Sequence, residues 1–330
     1  SFAAPLDLRA DFVHPVFTHK TADFKRWTGT LYANLHEADL TVWKPYFDYP
    51  FEISQGKGAV QAWLDLDHAK VSNFTADLEL NDLAMQLRPD LQPLSLANIS
   101  GRISAHEELG PAPQDGAPTF GANGHAVTLT DFSLKTADGL SLPRTTISES
   151  YAPARGKQAE KYSLQAKQLD LQTVASFAQR LPLTAAQIKM IDDFAPRGQL
   201  RDFSAQWQGA YPAIVSYSAK GRFEGLSVKA QAPHAAQPKT ASQPAQAAVP
   251  GIPGIENLSG SVDANQDGGS ISLKSEKTQL ELPGFFDTPL LPFDKLDMQA
   301  RWHFQQKNVL LQIDSMDFVQ DGLAGSLSGM

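Results

Sequence analysis

The chain contains no cysteine. Disulfides, thiolate metal centres and cysteine nucleophiles are therefore excluded. The compartment stays open, because cysteine-free chains occur in reducing and oxidising spaces alike. No apolar run approaches the roughly 20 residues that a bilayer-crossing helix needs. Positive charge is also scarce: 28 basic residues face 36 acidic ones, a net charge of -8, and Lys and Arg form no cluster. Nucleic acid is disfavoured as a partner, since phosphate contacts need concentrated positive charge, and no polybasic stretch holds the chain on an anionic membrane. Catalytic signatures are missing too, with no Gly-x-Ser-x-Gly elbow, phosphate-cradling loop or dinucleotide fingerprint. The eight histidines are scattered, and His106-Glu107-Glu108 lacks the second histidine of the His-Glu-x-x-His zinc motif. We expect no catalytic residue, no cofactor and no metal, hence no enzyme. The chain starts at Ser1 without a signal peptide, and its last stretch, DGLAGSLSGM, still alternates like a strand. It reads as a piece of a longer protein.

What is present is enough apolar material for a core, at 42% hydrophobic and 19% charged over 330 residues. The phrase NISGRI at 98–103 returns as NLSGSV at 257–262. Both belong to a shorter pattern, Gly-x-apolar-x-Ala, at Gly29-Thr-Leu31-Tyr-Ala33, Gly58-Ala-Val60-Gln-Ala62, Gly101-Arg-Ile103-Ser-Ala105 and Gly260-Ser-Val262-Asp-Ala264. The pattern predicts a strand start: glycine permits a kink or bulge, and the two later positions share a face. A small alanine there allows close approach.

Period-2 alternation dominates elsewhere. Phe74, Ala76, Leu78 and Leu80 share one face; the phase slips at Asn81-Asp82 and resumes with Leu83, Met85 and Leu87. Val127 and Leu129 alternate, slip at Asp131 and resume at Phe132 and Leu134. Such slips predict a bulge or a turn. Val215, Tyr217, Ala219 and Phe223 alternate, as do Met298, Ala300, Trp302 and Phe304, followed by Val309, Leu311 and Ile313. Many short strands joined by hairpins, each with one apolar face, make a long antiparallel sheet. One stretch differs. Leu171, Val174, Phe177, Ala178 and Leu181 stand at helical spacing behind Asp170 as N-cap. Thr184 and Gln187 have capping-box spacing before Ile188, Ile191 and Phe194. This pair of short helices either packs on the sheet or covers it as a movable lid. The Pro/Gly/Ala-rich stretch 111–124 and the Ala/Pro-rich stretch 231–251 are expected to be flexible excursions.

Three local clusters suggest chemistry and each has a plainer explanation. Asp263-Ala-Asn265-Gln-Asp267-Gly268 resembles the start of an EF-hand loop, but position twelve is Lys274 where a bidentate Glu belongs; it fits a hairpin turn better. Asp65-Leu-Asp67-His68 could meet a divalent metal and equally ends a strand. Asn73, Asn98 and Asn257 match the glycosylation acceptor pattern, yet two of them lie in the repeated phrase, where Asn and Ser satisfy a turn through their side chains. The five tryptophans, Trp27, Trp43, Trp63, Trp207 and Trp302, fit strand packing, or sugar or membrane-interface contact.

Two long strings carry a family likeness. DFKRWTGTLYANLHEADLTVWKPYFDYPFEISQGKGAVQAWLDLDHAKVSNFTADLELNDL resembles the middle of bacterial YhdP-type proteins, of the AsmA-like, TamB-like group, and NLSGSVDANQDGGSISLKSEKTQLELPGFFDTPLLPFDKLDMQARWHF resembles a downstream unit of the same proteins. The resemblance implies a Gram-negative, inner-membrane-anchored, periplasm-spanning protein whose β units stack into an extended sheet; it speaks to this conduit and not to the docking at the outer membrane that is expected of the full-length protein. Phospholipid acyl chains are proposed to slide along its apolar inner surface, in support of outer-membrane biogenesis.

The expected fold is mainly β, a long antiparallel, strongly curved sheet forming an open, taco-like groove, with a short helix pair at 170–195. Expected segments are a first β-groove segment (1–168), the helical pair (169–198), strands continuing the sheet (199–230), the Ala/Pro-rich loop or linker (231–251) and a second β-groove unit (252–330). The residues assigned to contact lipid are Val60, Leu64, Leu78, Leu80, Leu83, Met85, Val127, Leu129, Leu280, Leu282, Met298 and Trp302. Two other readings compete. A closed β-sandwich or solenoid would be a lipid-free scaffold, and a secreted glycan-binding protein would use Trp63 or Trp207. A strand's apolar face must be covered, and two short helices cannot cover a dozen strands. The sheet therefore folds on itself or leaves a face for a ligand.

Overall fold

A computed structural model describes residues 6–13, 26–43, 52–68, 70–110, 123–181, 183, 185–209, 214–232, 251–283, 290–305 and 308–329. The stretches 111–122 and 233–250, and with them most of both expected excursions, lie outside the described residues.

Fifteen strands follow in chain order: β1 (Asp7–Val13), β2 (Thr28–Asp39), β3 (Glu52–Asp67), β4 (Lys70–Gln86), β5 (Leu94–Glu107), β6 (His125–Thr136), β7 (Ser141–Ala152), β8 (Lys161–Asp170), β9 (Arg197–Gln208), β10 (Ser216–Val228), β11 (Gly254–Asn265), β12 (Gly268–Glu281), β13 (Leu290–Gln305), β14 (Asn308–Gln320) and β15 (Leu323–Gly329). They form one sheet in which every strand neighbours its predecessor in the chain, and β1 does not meet β15, so the sheet is not closed. The strands pair antiparallel, as hairpin connections require. By internal contact the chain divides into a first unit (1–167, 179–182 and 204–217) and a second (168–178, 183–203 and 218–330).

The slips in alternation are bulges inside strands. Asp82 (φ 52°) and Asp131 (φ 48°) adopt the left-handed region, and so do Asp202 (φ 47°), Asn257 (φ 56°) and Lys277 (φ 52°). Across Asp131 the β6–β7 register shifts between Leu129 and Phe132. One extra residue there rotates the next stretch back into phase, so apolar side chains stay on one face through strands of up to 17 residues.

Of the Gly-x-apolar-x-Ala glycines, Gly29 opens its strand as expected, second in β2, and the other three correct that expectation. Gly58, Gly101 and Gly260 stand well inside β3, β5 and β11. All four share another cause. A Cβ would lie 2.1 Å from the Asp11 carbonyl at Gly29, 2.1 Å from the Glu79 carbonyl at Gly58, 2.6 Å from the Phe132 Cα at Gly101 and 2.2 Å from the Ser272 carbonyl at Gly260. The pattern marks where the neighbouring backbone comes too close for any side chain.

Three helices complete the described residues: α1 (Leu40–Trp43), α2 (Leu171–Phe177), extended by a 3₁₀ turn over Ala178–Arg180, and α3 (Ala185–Phe194). Asp170 caps α2 as its position predicts, accepting a 2.8 Å hydrogen bond from the Thr173 amide. Thr184 of the expected capping box lies outside the described residues. The EF-hand-like string is the hairpin turn between β11 and β12: Asn265 Oδ1 accepts from the amides of Asp267 at 2.8 Å and Gly268 at 3.2 Å.

Candidate functional site

Register makes the sheet amphipathic. In the first unit, Leu31, Leu64, Phe74, Ala105 and Val127 form one cross-strand row, and Ala33, Ala62, Ala76, Ile103, Leu129, Ile147 and Ala166 the next. The opposite face carries Ser, Thr and charge. Thr75 donates to Ser104 at 3.3 Å and Thr128 to Ser148 at 3.1 Å. Asp77 accepts two 2.7 Å bonds from Arg102, and this guanidinium holds the Asp77 carboxyl below the usual carboxylate range. Trp63, packed 5.5 Å from Tyr32 with Arg102 over its ring, is on this polar face.

The apolar face of this unit has two parts. Towards one set of strand ends it is sealed: Ile53, Leu80, Leu83, Leu94, Leu96, Ile99, Phe132 and Leu142 are all buried. The loop after β4 folds over this end. Leu91 is buried, Gln86 donates to the Leu91 carbonyl at 2.8 Å, and the Gln92 amide reaches the Gln179 carbonyl of the 3₁₀ turn at 3.4 Å. Arg180 on that turn pairs with Asp138 in the β6–β7 turn, and Arg180 with Thr136 brings the Asp138 pKa down to about 2. Towards the other strand ends, Val60, Leu64, Phe74, Leu78, Ile103, Val127, Leu129, Ile147 and Leu164 are only half-buried. These residues lie in interior strands with neighbours on both sides, so their exposure comes from above the sheet.

The second unit repeats the arrangement. Phe223, Leu258, Leu273, Phe293 and Leu296 form a buried cluster, with Met298, Met316 and Phe318 packed on it. Farther along the same face Val262, Ile271, Trp302 and Ile313 are half-buried, and Phe304, Val309 and Leu311 are exposed. A 640 Å³ cavity lies between α2, α3 and the ends of β10–β13, lined by Ile191, Val228, Ile255 and Leu290 together with Asp192, Arg197, Lys229 and Glu281.

Of the residues singled out from sequence, Val60, Leu64, Leu78, Leu80, Leu83, Met85, Val127 and Leu129 come together on the first unit's apolar face, and Leu280, Met298 and Trp302 on the second's. Leu80 and Leu83 are in the sealed part. Leu282 stands one residue beyond β12 and is half-buried. Ile103, named above only for its Gly-x-apolar-x-Ala pattern, and Ile147, Leu164 and the exposed Leu8 and Phe12 of β1 share the first unit's apolar face but were not among the residues assigned to contact lipid. Sequence reading also passed over an aromatic row at the open strand ends. His125, Tyr151, Tyr162 and Trp207 follow at centroid spacings of 5.6, 4.9 and 5.2 Å, the last pair stacked within 8°. Burial pushes both tyrosine hydroxyls above their ordinary pKa, with Glu160 adding to the effect. Trp63 and Trp207 thus occupy opposite faces and make no joint sugar platform.

The other suspected centres resolve into ordinary partners. His68 Nδ1 meets Asp67 at 2.6 Å, Asn73 donates to Asp65 at 3.0 Å, and His106 Nδ1 meets Asn73 Oδ1 at 2.7 Å. Asn257 donates to the Glu276 carbonyl at 2.9 Å, and Ser259 accepts the Gly225 amide at 3.0 Å. Asn and Ser therefore satisfy backbone only in NLSGSV, at a strand bulge rather than a turn; in NISGRI Asn98 donates to Asn81 Oδ1 at 3.2 Å and Ser100 meets the Ser133 hydroxyl at 3.0 Å. Among the described residues no three His, Asp or Glu group as metal ligands, and no helix is long and apolar enough to cross a membrane.

No curated protein and no solved structure matches the chain. A family model described as YhdP protein matches residues 1–329. With that match spanning the sheet from end to end, the chain belongs to the YhdP family.

Proposed function

We propose that this chain is a periplasmic segment of an inner-membrane-anchored, envelope-spanning protein, and that the unsealed part of its apolar face binds and conducts phospholipid acyl chains between the inner and outer membranes. Family membership supports the lipid-transfer class. The observation that carries the reading is the half-burial of Leu64, Leu78, Val127, Leu129 and Ile147 in interior strands. A dry core would bury them as it buries Leu80 and Leu96.

The chemistry asks little of the protein. Each methylene moved from water to an apolar wall gains about 0.8 kcal/mol, so half of a sixteen-carbon tail gains on the order of 6 kcal/mol. The attraction is non-directional, so a tail slides without breaking specific bonds. No step requires a catalytic group or cofactor. The polar face keeps the strands soluble and registered.

The test is lipid extraction and native mass spectrometry of the purified chain, with photoactivatable probes placed at Leu78 and Leu129. Co-purifying phospholipid and lipid crosslinks at both positions are expected. Lipid-free protein with no crosslink at either position would overturn the reading.

A further inference from the structure

Two neighbouring hairpins of the second unit end at the same set of strand ends, and their tips differ in kind. The β11–β12 tip is Asn265, Gln266 and Asp267, all polar and exposed, with the Asn265 side chain closing the turn. The β13–β14 tip lies beside it, where the Phe304 amide donates to the Asp267 carbonyl at 2.9 Å. Here Phe304, Val309, Leu310 and Leu311 are all exposed, Val309 by 59% and Leu310 by 41%. Register puts them on both sides of the ribbon. Trp302 stands opposite Leu311 and Phe304 opposite Val309 on the apolar face, while Leu310 stands opposite His303 on the polar face.

The fold does not call for Leu310. Behind it, the polar face of the same two strands carries Asp297, Gln299, Arg301, Gln312, Ser315 and Asp317. A hairpin at this end needs no apolar tip, as its neighbour shows. An acyl chain on the apolar face touches Phe304, Val309 and Leu311 and leaves Leu310 in water. What covers both sides of a ribbon at once is a medium that the tip enters, and the interfacial region of a bilayer is such a medium. Half-buried Trp302, just behind Phe304, is the ring type that settles at this boundary. Charge agrees. Residues 299–313 include no Asp or Glu, although the chain has 36, and their ionisable groups are Arg, His and Lys. Depth is limited as well. Among the described residues, β15 pairs with β14 only from Ile313 onward, so the outer edge of β14 at 309–312 has no strand partner. Unpaired backbone groups are costly in hydrocarbon, but water and lipid oxygens meet them at headgroup level.

We propose that the β13–β14 tip is a membrane-contact element, placing Phe304, Val309, Leu310 and Leu311 shallowly in a bilayer that bears anionic lipid. The apolar side of the tip runs on into the second unit's apolar face, yet bilayer contact does not rest on lipid moving along that face.

Because the chain has no cysteine, a single label can be placed at either tip. The experiment puts an environment-sensitive fluorophore on Asn308→Cys in the 330-residue chain, and separately on Gln266→Cys, then adds vesicles of phosphatidylcholine with an equal amount of phosphatidylglycerol. The label at Asn308→Cys is expected to brighten and shift to the blue, and a nitroxide near the headgroup should quench it more than one near the tail end. The label at Gln266→Cys should respond far less. Omitting phosphatidylglycerol should weaken partitioning about two- to fivefold. Val309→Thr/Leu310→Thr, which keeps strand propensity, should weaken it about tenfold. Should that variant lose its circular dichroism spectrum, Leu310→Thr alone serves, with a loss of about threefold expected. No response to vesicles at Asn308→Cys, equal responses from both labels, or partitioning unaltered in the folded variants overturns the membrane contact. So does a label at Asn308→Cys that responds to protein concentration and not to vesicles, which assigns the tip to a second copy of the chain. Each of these outcomes leaves the conduit reading standing, since lipid extraction tests that separately.

Discussion

In the first unit, Leu80 and Leu129 look alike along the chain: each ends an alternating apolar run just before a phase slip, on the same face of the same sheet. Leu80 is 3% exposed, while Leu129 is only half-buried. The sheet does not make this difference. The loop carrying Leu91 and the turns carrying Arg180 and Asp138 do, because they close over one set of strand ends. One face therefore does two jobs. Its sealed end supplies a core that fixes strand register, and its open end stays available to something apolar that the chain does not provide.

The sharpest way to break this comparison is to place a carboxylate in each part. Leu80→Asp buries a charge without a partner and should cost more than about 4 kcal/mol, enough to unfold the chain. Leu129→Asp should cost only about 1–2 kcal/mol, since solvent reaches the site, while sharply reducing retained lipid. Urea denaturation with lipid extraction reads both effects. If the two variants lose stability equally, the face is closed throughout.

A smaller effect is expected where the two parts meet. Gly58 sits at φ 147° with the Glu79 carbonyl 2.1 Å from where its Cβ would be, opposite Leu80. Gly58→Ala should cost about 2–3 kcal/mol through strain and a displaced β4. Gly139, at φ 94° with nothing within 4 Å, isolates the conformational part alone, and Gly139→Ala should cost about 1 kcal/mol. Thermal melts of the two variants separate close approach from backbone preference. Asp82 comes next: at φ 52° in a bulge, Asp82→Gly should be close to neutral and Asp82→Val should cost about 1–2 kcal/mol.

These positions also show how far sequence could lead. The sheet was legible because period 2 is a local property: a reader of Phe74 to Leu87 can see both the strand and the slip at Asp82 that becomes its bulge. The helix pair was legible from helical spacing and from Asp170. Sealing was not legible, because Leu91 and Arg180 reach their places only through tertiary folding. Nor does the repeated phrase fix its own backbone. In NISGRI the glycine, Gly101, takes the positive φ of 128°, whereas in NLSGSV the asparagine does, Asn257 at 56°. The same letters serve two bulge geometries because the neighbouring strands differ: Phe132 crowds Gly101, and Ser272 crowds Gly260. Of the candidate site, membership of the apolar face could be read residue by residue, but exposure, and the aromatic row that begins at His125, needed the cross-strand register.

The smallest expected effect concerns the latch on the sealed end. Arg180 and Thr136 hold the Asp138 carboxyl at about 2, below its ordinary value. A carboxyl whose pKa is lower in the folded chain contributes stability above its unfolded pKa, near 4, and loses that contribution as pH falls towards 2. Asp138→Asn should therefore lower the melting temperature slightly at neutral pH and not at all near pH 2, where the two melting curves converge. The side chain is half exposed, so added salt should shrink the neutral-pH difference. If the latch matters to function, the same variant should expose Leu91 to hydrogen exchange at neighbouring amides while leaving lipid retained at Leu129 unchanged, since the open part of the face does not depend on the turn that closes the other end.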